Sequence, residues 1–159
     1  MRRNLQKVGL IVALWAGAVA AGLAADVPFK GVFSGQASSA EPTGDPGVLL
    51  ITTVGNGNAT HLGNFAMVSP HLANLATLAV AGTQNFTAAN GDTLTASFTG
   101  QFSVIAGGFL AASIDCTITG GSGRFAGAGG GYTFDIVFDP ATLSDLSVID
   151  GTIELPDGD

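Results

Sequence analysis

Few side chains in this sequence pair a reactive group with partners at a workable spacing. The only histidines, His61 and His71, lie on either side of a Ser69-Pro70 break. No third histidine and no cysteine pair completes a zinc set, so neither a metal nor a cofactor is indicated. Cys116 is the single cysteine. With no base near it in sequence, its thiol stays protonated, and it reads as a buried structural residue. No Gly-x-Ser-x-Gly elbow occurs, and no run of carboxylates has calcium-loop spacing. Four residues remain as candidates for ligand contact: His61, Tyr132, Asp115 and Arg124. The first three are nominees for proton transfer in a pocket of isomerase or cyclase type. Arg124 has a plainer role available, tying a glycine turn to carbonyls or to a carboxylate such as Asp115 or Asp135. Its other role would be capture of an anion or ligand.

These residues must be positioned by strands. Leu94, Ala96, Phe98, Phe102 and Val104 alternate with threonine, serine and glutamine over Thr93–Val104. Leu110, Ala112, Ile114, Cys116 and Ile118 repeat the scheme, followed by Tyr132, Phe134, Ile136 and Phe138. Upstream, Leu78, Val80 and Phe86 alternate with polar neighbours. Each run is a strand with one buried and one wet face, and the buried face is the even-numbered one. Less regular strands are expected at Pro28–Ala37, Val48–Val54, Ala59–Val68 and Leu146–Leu155. A turn is expected at Gly55-Asn56-Gly57-Asn58, and an exposed loop over Ser38–Gly47. About eight strands result, the spacing of an all-β barrel or sandwich. The even face carries almost no titratable group, so the interior should be nearly bare of polar chemistry.

Parity also fixes one register. The apolar positions before and after Asn90-Gly91 are all even, so a two-residue turn would mix the faces. A three-residue loop with Gly91 in the left-handed bulge position keeps them together. Ala88 should therefore face Asp92.

Arg2, Arg3 and Lys7 supply three of the five basic residues, and no charge interrupts Val8 to Leu23. A positive start, an apolar run and small residues at Gly22-Leu23-Ala24 form the pattern of a signal peptide cleaved after Ala24. The expected mature domain spans residues 25–159 and is exported, either secreted or periplasmic. It keeps Lys30 and Arg124 against twelve carboxylates, a net charge of −10. That surface repels phosphate backbones and anionic head groups, so nucleic acid is not an expected partner. An exported chain with one cysteine has no internal disulfide.

Gly120-Gly121-Ser122-Gly123-Arg124-Phe125-Ala126-Gly127-Ala128 resembles the G-G-T-G-R-F-x-x-A turn of calycin-like β-barrels, which include allene oxide cyclase and dirigent proteins. Asn58–Gly63 and Phe86–Asp92 resemble segments of small secreted bacterial proteins that carry similar barrels. The resemblance spans roughly Asn58 to Phe134 and implies a single antiparallel barrel of about eight strands. No catalytic position of the plant enzymes can be matched residue by residue to this chain. The expected role is non-catalytic: holding a small apolar ligand inside, or serving as a structural or extracellular module. The alternatives are an isomerase or cyclase of the allene oxide cyclase class, and an outer-membrane barrel with its apolar face outward. Missing aromatic girdles and an acidic tail argue that the mature chain is not membrane-embedded. A small barrel either fills with side chains or holds one ligand. The phenylalanines favour filling, while Ala96, Gly100 and Ala112 favour space.

Overall fold

The structure is a computed structural model that describes residues 25–156. The expected signal segment, 1–24, lies outside them. The strands are β1 (Ala25–Pro42), β2 (Val48–Ala59), β3 (Gly63–Asn74), β4 (Ala79–Ala88), β5 (Thr93–Gln101), β6 (Ser103–Val104), β7 (Leu110–Gly121), β8 (Gly129–Asp139) and β9 (Ser144–Leu155). All pairings are antiparallel. Hydrogen bonding runs β5-β4-β3-β2-β1-β9-β8-β7, and β5 then pairs with β7 to close the ring. β6 is a two-residue extension beside β7. The result is a closed eight-stranded barrel in which closure leaves no sheet edge bare.

The even-numbered residues of β4, β5, β7 and β8 turn inward, as their alternation requires. Val80, Phe86, Leu94, Phe98, Ile114 and Phe134 are all buried. β1, β2, β3 and β9 present odd-numbered residues instead, among them Phe29, Phe33, Phe65, Met67 and Ile149. The buried aromatic and aliphatic side chains thus meet inside the barrel, while Val32, Val137, Leu146 and Val148 are exposed on its outer face. The hairpin register is the one parity demands. Phe86 faces Leu94 and Thr87 faces Thr93. Ala88 N–H donates to Asp92 O at 2.9 Å, and Gly91 has φ 90°.

Several expected boundaries are different. Gly55-Asn56-Gly57-Asn58 is not a turn but the last part of β2, and the chain reverses at Thr60–Leu62. The glycines are there because of what lies across the sheet. A Cβ on Gly55 would come within 2.6 Å of the Phe33 ring and of Gly35 Cα, and one on Gly57 would collide with the Phe65 ring. They make room for aromatic rings and a close strand approach. Ser69-Pro70 is no break either. Both residues pair with β2, and only the pairing to β4 skips them, as a residue lacking N–H requires. β1 runs through the first half of the expected loop, to Pro42, with a bulge between Ala37 and Ser39. The strand expected through Val104 ends at Gln101, and Val104 is 67% exposed because β6 leaves the ring.

The interior is filled at one end only. Phe29, Leu62, Phe86, Leu94, Phe125 and Ile153 are essentially inaccessible. They come from the start of β1, the end of β9, the β4–β5 hairpin and two turns, so they converge on the same end. Leu62 arrives from the Thr60–Leu62 turn and Phe125 from a single 3-10 turn, Gly123–Phe125. The glycine-rich turn therefore positions a plug. Gly120, Gly123 and Gly127 all have positive φ, which lets the chain fold back over the barrel mouth.

Candidate functional site

The opposite end holds a cavity of about 470 Å³. It extends from Phe33, Ile114 and Phe134 in the middle of the barrel to a rim that includes Ala40, Leu75 and Leu143. Leu75 and Leu143 are about half exposed, so the cavity is reached past apolar side chains. Its walls are chiefly hydrocarbon and aromatic rings.

A few polar groups interrupt that wall. Gln84, Ser69 and Asp145 all line the cavity and are all buried. Gln84 comes from β4, in phase with Val80 and Phe86. Its Oε1 accepts a hydrogen bond from the Tyr132 hydroxyl. Tyr132 does not line the cavity. Its ring packs edge-on against Phe29 at 5.2 Å and against Phe86 at 6.4 Å, so it belongs to the plug. The Tyr132–Gln84 bond therefore marks where the filled half meets the cavity.

Asp145 projects from β9 directly opposite Gly35 of β1. A side chain at Gly35 would strike both Asp145 Oδ1 and the Phe33 ring. Ser147 donates to Asp145 Oδ2 at 3.0 Å. Burial pushes the Asp145 carboxyl above its ordinary range, and the Ser147 hydrogen bond only partly opposes this. His71, on β3, is half-buried and lines the same cavity, with Nδ1 3.0 Å from Ser69 O and its ring 6.0 Å from that of Phe98. Burial holds its pKa below 6.5, against the raising effect of the Ser69 carbonyl.

None of the four residues nominated from sequence lines this cavity. Asp115 is exposed on the outer face of β7, because its odd number puts it out of phase with Ile114 and Cys116. His61 is exposed in the turn at the plugged end, with φ 62°. Arg124 is at that end too. It does tie the turn to a carbonyl and a carboxylate. Nη2 donates to Leu62 O at 3.3 Å, and Nε is 3.6 Å from Asp92 Oδ2. The carboxylate is Asp92, not Asp115 or Asp135, since the plug brings the turn against the β4–β5 hairpin. The guanidinium also lies 4.9 Å over the Phe125 ring. Cys116 is buried, and burial pushes its thiol up to about 12, which favours the protonated form at neutral pH.

The interior is consequently less bare than the even face implied. His71, Ser69 and Asp145 come from odd-phase strands, and Gln84 from the even face itself. The signal for Asp145 was present: it is in phase with Ile149 and Ile153 once the last strand begins at Ser144. Reading Ser69-Pro70 as a break concealed His71 in the same way.

Asp145 gives a pH dependence. Its raised pKa means the folded state favours the protonated carboxyl. The stability this contributes is complete below the ordinary carboxylate pKa of 3.8 and is lost as pH rises through the folded value. Asp145→Asn is therefore expected to raise the melting temperature at neutral pH and to change it little in strong acid. His71 acts in the opposite sense, its contribution being present above 6.5 and lost on acidification. Melting curves of the wild type and the variant across pH check this. An equal shift at every pH would contradict it.

Fold and site together define a class: a closed eight-stranded antiparallel barrel, plugged at one end, with a mainly apolar cavity at the other. Searches found no matching family model, curated protein or solved structure.

Proposed function

We propose that this protein binds a small, largely apolar molecule in the open half of its barrel, without catalysis. The observation that carries this is the cavity. Its volume of about 470 Å³ falls in the range of small-molecule sites, and such sites combine apolar walls with a few placed polar groups. The plug gives the ligand a floor. The glycine turn and the eight-stranded closure support kinship with the calycin-like barrels of allene oxide cyclase and dirigent proteins. The N-terminal pattern supports export to the periplasm or medium. A mature N-terminus at Ala25, read by mass spectrometry, is the expected processing product.

The test uses the neutral solvatochromic dye Nile red. Wild-type protein should take up one equivalent with a blue-shifted emission, and Ala73→Trp, which fills the cavity from β3, should lose most of it. No uptake by the wild type, or equal uptake by the variant, would refute the reading.

One observation favours an isomerase or cyclase as the second reading: Asp145 and His71 share the cavity wall, so a carboxyl and a neutral imidazole face the same space. Conversion of a bound carbonyl compound that Asp145→Asn abolishes would establish it over simple binding.

A further inference from the structure

Gln84 is 3% exposed, and its Oε1 is committed to the Tyr132 hydroxyl. Tyr132 is wedged against Phe29 and Phe86, so the amide plane is held. Among the described residues no protein group accepts from Gln84 Nε2, yet that atom is not sealed off. The space it meets is the cavity that Gln84 lines. A buried N–H donor is thus fixed at the inner end of an apolar chamber.

The charges around that chamber are as informative. The cations among the described residues are Lys30 and Arg124. Lys30 is paired with Asp150 at 2.8 Å on the outer surface, and Arg124 is spent at the plugged end. Neither lines the cavity. His71 is disfavoured as a cation by its burial. The one ionisable acid in the wall is Asp145. An anionic head group would lose its water here, gain no counter-charge and face a carboxyl. A bare hydrocarbon would leave the Gln84 N–H unsatisfied. An uncharged oxygen acceptor avoids both costs.

We propose that the cavity selects uncharged apolar molecules bearing a carbonyl-type acceptor, such as long-chain ketones or esters, and rejects carboxylates of the same length. This rests on the binding reading above and adds the chemical class to it. Gln84 is the residue that sets the preference for a carbonyl, and Asp145 the residue that disfavours an anion.

Displacement of Nile red by methyl decyl ketone, dodecane and dodecanoate separates the possibilities. The ketone should displace the dye at about tenfold lower concentration than dodecane, the scale of one buried hydrogen bond, with dodecanoate the weakest. The double variant Gln84→Leu/Tyr132→Phe removes both partners of the buried bond together, so neither is left orphaned. In this variant ketone and dodecane should displace the dye at the same concentration, whatever its own affinity for the dye. Asp145→Asn should narrow the gap between ketone and dodecanoate. Dodecanoate binding as tightly as the ketone, or a ketone preference that survives the double variant, would overturn the selectivity while leaving the binding role intact. Absence of dye uptake and of all three probes would overturn both.

Discussion

Gly55→Val is expected to leave no stable barrel. Gly55 faces Gly35 across the β1–β2 ladder. A Cβ there would lie 2.6 Å from Gly35 Cα and 2.6 Å from Phe33 Cζ, and closer still to Ser34 O. Two of those three obstacles are backbone, so they yield only if the ladder opens. Overpacking with a flexible neighbour costs about 1–3 kcal/mol. Here the neighbour is rigid and valine adds two methyls, so a loss of more than about 4 kcal/mol is expected, a large part of a typical domain's total stability. Asn56→Val is the control. Asn56 is the next residue on the same strand and points to solvent, so its change should stay within about 0.5 kcal/mol. Urea denaturation followed by circular dichroism reads both. A Gly55→Val protein with a near-normal midpoint would show that the glycine is not a packing requirement.

Phe125→Ala should be the most damaging of the plug truncations, at about 3–5 kcal/mol. Phe125 is fully buried although it sits in a three-residue 3-10 turn, and it is the only buried residue of that turn. Its ring closes the barrel mouth and supports the Arg124 guanidinium above it. Nothing in so short a turn can slide in to refill the space, so the cavity cost should be felt nearly in full. Arg124→Met separates packing from charge. The Arg124–Asp92 pair is long, at 3.6 Å, and half exposed, so its loss should cost less than about 1 kcal/mol. Denaturation midpoints of the two variants, compared with the wild type, decide it. Equal losses would mean that the Arg124 contacts to Asp92 and Leu62 O hold the plug as firmly as the ring does.

Gly55 and Gly57, with asparagines between and after them, have the composition of a turn. Their actual neighbours are Phe33 and Phe65, which stand on other strands. Gly91, by contrast, was legible, because the even-numbered apolar positions on both sides of it left only one register. The candidate site divided in the same manner. The alternation of Val80 and Phe86 already placed Gln84 inside, but nothing local marked it as facing open space rather than packed side chains. Asp115 and Asp145 look alike as isolated residues. Phase relative to Ile114 puts the first outside, and phase relative to Ile149 puts the second inside.

The sequence by itself determined an all-β chain, the apolar faces of its central strands and the register of the Ala88–Asp92 hairpin. Those are matters of period two, and periodicity is written along the chain. Only the tertiary structure decided that one half of the barrel is plugged and the other encloses a cavity. It also decided that two turn-like glycines are spacers and that His71, Gln84 and Asp145, from strands on different sides of the barrel, line one cavity. Such features depend on the summed volumes of side chains arriving from strands far apart in sequence. They exist only once β1 has met β9 and β5 has met β7.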